Sequence, residues 1–190
     1  MINIAIFASG AGSNAENIIR YFREQNCGIT VALVVCNKPE AGVIGRCRAL
    51  DVPVEVMPAA EIRDSAKMLA VMTGYHIDAI VLAGFLLMVP DFLIDRYPGR
   101  VINIHPSLLP KFGGKGMYGR HVHEAVVAAG ESETGITIHH VTSKCDEGSI
   151  IFQARVTVDP SDTPADVEAK IHALERTHFA PVIRSLLLSQ

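Results

Sequence analysis

Ile2-Asn3-Ile4-Ala5-Ile6-Phe7-Ala8-Ser9-Gly10-Ala11-Gly12-Ser13-Asn14-Ala15 runs from a short apolar segment through a glycine-rich turn into the start of a helical pattern. Its reading as strand, turn and helix decides the fold, because the same unit recurs along the chain. A helix over Ala15–Gln25 leads to a strand over Ile29–Cys36. Then come a helix over Ala41–Leu50, a strand over Val52–Met57, a helix over Glu61–Tyr75 and a strand over Ala79–Phe85. Alternation of this kind predicts a parallel sheet covered by helices on both faces. The first half therefore reads as Rossmann-like.

Beyond Val101–His105, a further strand, the chain changes character. A Pro- and Gly-rich stretch precedes a helix near His121–Ala129, and two β-rich runs follow, Gly135–Val141 and Ser149–Val158. Only seven residues separate these runs. That is too few for a parallel crossover, so they should pair as an antiparallel hairpin in a mixed, mostly parallel sheet. Thr163-Pro164-Ala165-Asp166 has the form of an N-cap with proline at the first helical position, opening a long amphipathic helix to about Leu188. The sequence shows no internal repeat and no linker. With 190 residues, the expectation is one domain spanning 1–190.

Composition narrows the classes of partner. The chain is 49% hydrophobic and 19% charged, with a formal net charge of −3 and its basic residues scattered, so the basic stripe that nucleic acid requires is absent. Cys27, Cys36, Cys47 and Cys145 form no C-x-x-C pair and read as reduced thiols of a cytoplasmic protein. The N-terminus lacks the charged start of an export signal. The longest apolar run, Ala79 to Val89, falls well short of the roughly 20 residues that span a bilayer.

In the opening stretch, glycines permit a tight turn, and the free N–H groups of a helix N-terminus suit an anion. Two readings stand: a phosphate site at Gly12, Ser13 and Asn14, or a turn with no ligand. The Gly10-x-Gly12-x-x-Ala15 spacing also fits a dinucleotide fingerprint, but that motif needs an acidic residue where the second strand ends in Cys36-Asn37-Lys38. Its absence argues against a dinucleotide, and Ser13 and Asn14 supply donors for a single phosphate. On the phosphate reading, a Cβ at Gly12 would crowd the approaching anion.

Val101-Ile102-Asn103-Ile104-His105-Pro106-Ser107-Leu108-Leu109-Pro110 ends a strand, and strand ends line the crevice of an α/β sheet. Asn103 and His105 share one face of the extended chain, Ile102 and Ile104 the other. An amide beside an imidazole can stabilise an oxyanion and move a proton; a polar strand edge with a hydrogen-bonded histidine is the alternative. Asp146, in Cys145-Asp146-Glu147-Gly148, is either an ordinary turn residue or the carboxylate that meets His105. Gly113–Gly119 contains Gly-Lys, but no Ser or Thr follows the lysine as a P-loop requires, so it reads as a mobile loop. His121 and His123 would splay about 200° apart on a helix, which argues against a shared metal. Of His139 and His140, one should face the crevice and one the opposite side.

Taken together, Phe7–Asn14, Val81-Leu82-Ala83-Gly84-Phe85, Asn103–Pro110 and Thr134-Gly135-Ile136-Thr137-Ile138-His139 before Asp146-Glu147-Gly148 resemble, in content and order, the phosphoribosylglycinamide formyltransferases. The resemblance covers nearly the whole chain. It implies a single-domain Rossmann-like formyltransferase fold and transfer of a formyl group from 10-formyltetrahydrofolate to the amine of phosphoribosylglycinamide in purine biosynthesis, with no metal. It further implies that Asn103, His105 and Asp146 are catalytic and that Gly12, Ser13, Asn14 and Glu175 bind the acceptor. Leu86, Leu87, Met88, Val89, Asn103 and Thr142 would contact the folate. Partners implied are these small molecules, with no nucleic acid and no membrane; a monomer and a homodimer are both compatible. Methionyl-tRNA formyltransferases share the catalytic block but carry a tRNA-gripping domain, and formyltetrahydrofolate hydrolases carry an N-terminal regulatory domain. The short chain and the absence of a basic face argue against the first, and a chain that begins directly on its first strand argues against the second, which leaves the phosphoribosylglycinamide branch as the expectation. From another class, a nucleotide-binding or sensor module without catalysis would bind folate with no turnover when an amine is supplied.

Overall fold

The computed structural model describes residues 1–189 and holds one seven-stranded sheet. Its strands are β1 (Ile2–Ala8), β2 (Ile29–Cys36), β3 (Val54–Val56), β4 (Ala79–Leu82), β5 (Val101–His105), β6 (Glu133–His140) and β7 (Ile150–Thr157), in the spatial order β3-β2-β1-β4-β5-β6-β7. Pairing is parallel from β3 through β5, whereas β5–β6 and β6–β7 are antiparallel. The mixed α/β sheet that the sequence implied is therefore present.

Seven helices accompany the sheet among the described residues: α1 (Ser13–Gln25), α2 (Gly42–Ala49), α3 (Ala59–Ile62), α4 (Ser65–Gly74), α5 (Asp91–Arg96), α6 (Arg120–Ala128) and α7 (Pro164–Leu188). Strand alternation divides the core between two faces. Ile4, Ile6 and Ala8 of β1 join a cluster with α1, α2, α6 and α7, while Ala5 and Phe7 join one with α3, α4 and α5. On α1 the buried residues Ala15, Ile18, Ile19 and Phe22 form the i, i+3, i+4, i+7 stripe of an amphipathic helix. Thr163 and Asp166 close a reciprocal capping box at the start of α7, with Pro164 just inside.

Several expected boundaries are corrected. The helix expected over Glu61–Tyr75 is two helices, because Asp64 starts a new one: its side chain accepts from the Lys67 backbone N–H at 3.1 Å. The strand expected to Phe85 stops at Leu82, and Gly84 adopts a left-handed φ of 72° as the chain turns. The third strand is only Val54–Val56. Helix α5 was not foreseen, since six residues behind Pro90 show too little period to be read as a helix.

β1 has β2 on one side and β4 on the other, so chain progression reverses there, and a crevice opens beyond the C-terminal ends of these strands. The turn after β1, the segment after β4 and the end of β5 all arrive at it. No described helix is long and apolar enough to cross a membrane.

Candidate active site

A cavity of about 1080 Å³ opens at this crevice and is lined by every residue to which the resemblance gave a role: Gly12, Ser13, Asn14, Leu86, Leu87, Met88, Val89, Asn103, His105, Thr142, Asp146 and Glu175.

At one end lies the turn between β1 and α1. Gly12 takes a left-handed φ of 81°, and a Cβ there would stand 2.6 Å from Val43 Cα. The requirement for glycine therefore includes close packing against α2. Asn14 Nδ2 donates to Glu175 Oε2 at 2.9 Å, tying α1 to α7. Glu175 is buried to 8% exposure. Burial raises its pKa, and the Asn14 hydrogen bond opposes that rise.

The turn is also tied to the apolar wall. The Ser9 hydroxyl donates to Asn37 Oδ1 at 2.6 Å and accepts the Leu86 N–H at 2.9 Å, while the Ser9 N–H donates to the Gly84 carbonyl at 3.0 Å. Along the wall, Val89 is buried but Leu86 and Met88 are 47% and 53% exposed. Large apolar side chains left open at a cavity suit a flat apolar ligand.

The third part is assembled from four segments. On β5, Ile102 and Ile104 enter the α1/α7 core, so Asn103 and His105 point the other way. In the antiparallel register, Asn103 faces His139 and His105 faces Thr137. Buried Thr137 pins the turn after β5: its hydroxyl donates to the Ser107 carbonyl at 2.6 Å and accepts the Leu109 N–H at 3.0 Å. The β6–β7 loop brings Asp146 back with a left-handed φ of 56°. At Gly148 a Cβ would sit 1.7 Å from the His140 carbonyl oxygen, so only glycine allows the loop to close there.

The ring nitrogens of His105 have separate roles. Nε2 lies 2.8 Å from the Phe112 carbonyl, which can only accept, so Nε2 carries a proton. Nδ1 faces Asp146 Oδ2 at 3.6 Å. The contact that sets the tautomer thus comes from Phe112, and proton exchange is left to Nδ1 beside the carboxylate. Asp146 Oδ2 also accepts the Gly114 N–H at 2.9 Å, so the glycine-rich loop helps to hold it.

His139 is the crevice-facing member of its pair, a choice that strand alternation alone left open. Its Nδ1 donates to the His140 carbonyl at 2.9 Å, so Nε2 keeps a lone pair and accepts from Asn103 Nδ2 at 3.1 Å. Burial holds the ring below its ordinary pKa, as this neutral arrangement requires. One hydrogen of the Asn103 amide is thereby used and the other is left for a ligand oxygen. Phe112 and Gly114 were also missed by sequence reasoning, because they act through backbone atoms. Among the described residues, no group of three or more His, Cys, Asp or Glu is arranged to hold a metal.

The fold class is an open α/β sheet with its ligand crevice at the switch of strand order, and the chain belongs to the formyl transferase family, whose sequence profile matches residues 2–183. It is an enzyme of the transferase class. Among its relatives, the phosphoribosylglycinamide formyltransferase of Bacillus subtilis is 37% identical over 191 residues, covering 98% of this chain and 95% of the relative. The chloroplastic phosphoribosylglycinamide formyltransferase of Arabidopsis thaliana is 36% identical and covers 96% of this chain, which spans 64% of that relative's length. The crystal structure of glycinamide ribonucleotide transformylase 1 from Geobacillus kaustophilus superposes with a TM-score of 0.89 at 34% identity, covering 98% of this chain and 99% of that one. Phosphoribosylglycinamide formyltransferase from Bacillus halodurans gives a TM-score of 0.87 at 36% identity, covering 97% and 95%.

Proposed function

We propose that this chain transfers the formyl group of 10-formyltetrahydrofolate to the amine of phosphoribosylglycinamide, a step of purine biosynthesis, within one domain spanning 1–190. The observation that carries this reading is the convergence of Asn103, His105 and Asp146 in one cavity between a helix N-terminus and an apolar wall. The names of near-full-length relatives support the substrate pair. 10-Formyltetrahydrofolate is consumed in the reaction and acts as a substrate.

The acceptor phosphate binds at Gly12, Ser13 and Asn14, where backbone N–H groups at the start of α1 favour an anion. Glu175 takes the middle of the acceptor. The pterin lies along Leu86, Leu87, Met88 and Val89, with Thr142 and the β6–β7 loop opposite.

The acceptor amine attacks the formyl carbon, and the carbonyl π pair moves onto oxygen to give a tetrahedral oxyanion. The free amide hydrogen of Asn103 stabilises that charge. The attacking nitrogen then loses a proton, the bond from carbon to N10 breaks, and N10 gains a proton as it leaves. His105 Nδ1, backed by Asp146, relays the proton, because Nε2 is committed to Phe112. The products are the formylated acceptor and tetrahydrofolate.

The test follows 10-formyltetrahydrofolate spectrophotometrically with and without phosphoribosylglycinamide. Loss that depends on the acceptor is expected. Loss without the acceptor would indicate a hydrolase, and folate binding with no turnover would indicate a binding module. The dephosphorylated riboside should have a far higher KM; equal KM values would remove the phosphate from the turn after β1.

A further inference from the structure

His123 is buried to 2% exposure on α6 and lines the same cavity, yet the mechanism above does not use it. Its Nδ1 is sealed from solvent and has no hydrogen-bond partner among the described residues. An unpartnered buried ring nitrogen in a ligand cavity calls for an explanation.

The ring chemistry supplies one. A neutral imidazole has one N–H and one lone pair, and a buried N–H left without an acceptor is rarer and costlier than an unused lone pair. The proton therefore belongs on Nε2. Because Nδ1 is closed off, the ring meets the cavity by its opposite edge, which carries Nε2. We propose that His123 presents its Nε2–H into the cavity as a hydrogen-bond donor to a neutral oxygen in the ribosyl-amide portion of the acceptor substrate.

Placement and charge define that oxygen. Helix α6 packs against α7, and the charged groups that act on His123 are Glu168 and His172 of α7 and His105 of β5. It thus stands near His105 and near the α7 face of Glu168 and His172, one turn before Glu175. Burial keeps its pKa below the ordinary value; His172 and His105 act in the same direction and Glu168 against it. An uncharged donor with the Glu168 carboxylate nearby is poorly suited to a phosphate and well suited to a hydroxyl or amide oxygen.

The inference rests on the acceptor reading above, and its test separates the two. In the full chain, His123→Phe keeps a ring but removes the donor, and His123→Gln restores an N–H. His123→Phe should raise the KM for phosphoribosylglycinamide about 3- to 10-fold, the usual effect of one lost hydrogen bond, and leave the KM for 10-formyltetrahydrofolate unchanged. His123→Gln should recover most of the loss. Nitrogen-15 NMR of the unliganded wild type should show His123 as the Nε2–H tautomer, with the Nε2 resonance moving on addition of phosphoribosylglycinamide but not of folate. An Nδ1–H tautomer, or equal changes in both KM values, would overturn the inference, and the tautomer measurement decides even where His123→Phe fails to fold. A wild type that does not formylate phosphoribosylglycinamide defeats the functional reading instead. Normal turnover with an unchanged acceptor KM in His123→Phe defeats this inference alone.

Discussion

The turn after β1 and the end of β5 both deliver polar groups to one cavity, but they are built differently. Gly10 to Asn14 is continuous in sequence and lies where β1 passes into α1, a strand-to-helix transition that leaves backbone N–H groups without helical partners and needs no outside help. The other end takes Asn103 and His105 from β5, His139 from β6, Asp146 from the next loop, and the backbone of Phe112 and Gly114 from another. A site made by local backbone geometry tolerates side-chain change but not a change of conformation. A site made by convergence depends on each distant contact and on the register between strands.

The largest effect that could break this comparison lies at the convergent end. Asp146→Asn keeps the shape and removes the charge, and the single-turnover rate should fall ~10²-fold or more. Asn103→Ala should slow the same step by ~10²–10³-fold, and the double variant should lose less than the product of the two if both act on one transition state. An unchanged rate in Asp146→Asn would return that carboxylate to the role of a turn residue.

At the local end, stability should suffer more than chemistry. Gly12→Ala places a Cβ against Val43 and holds a non-glycine residue at a φ of 81°, so urea denaturation should show a loss of about 1–3 kcal/mol. Full stability with a raised acceptor KM would instead mean that the space at Gly12 is kept for the phosphate.

His139→Leu tests whether the partner of Asn103 matters. Loss of that hydrogen bond should cost about 1 kcal/mol in transition-state stabilisation, several-fold in rate, with little change in either KM.

The smallest effect is on pH dependence. Buried His139 has a folded-state pKa below the unfolded value of about 6.5. Between these two values the unfolded chain binds more protons, so stability rises with pH across the window and is lost as pH falls below about 6.5. Glu175, whose pKa is raised, acts in the opposite sense nearer its own range. Comparing wild type with His139→Gln isolates the histidine: the gap in melting temperature should narrow as pH falls from 7 to 5. A gap independent of pH would mean that the ring titrates freely.

The same contrast governs what could be read without coordinates. β1, β2 and β5 fall on the expected residues, because each apolar run is bounded by turn residues and a buried strand needs little else. The break at Asp64 was missed, since helical period continues across it and only a cap bond interrupts the helix. Asn103 and His105 were legible as a pair because residues at i and i+2 share a strand face.

By itself, the sequence determined the alternating α/β layers, the glycine turn, the shared face of Asn103 and His105, and the helix cap at Thr163, since each follows from periodicity or from a residue's own conformational limits. Only the tertiary structure decided that His139 and not His140 meets Asn103, that Phe112 sets the His105 tautomer, and that Val43 packs hard against Gly12. Those facts depend on strand register and on backbone atoms far apart in the chain, and neither leaves a mark in local residue pattern.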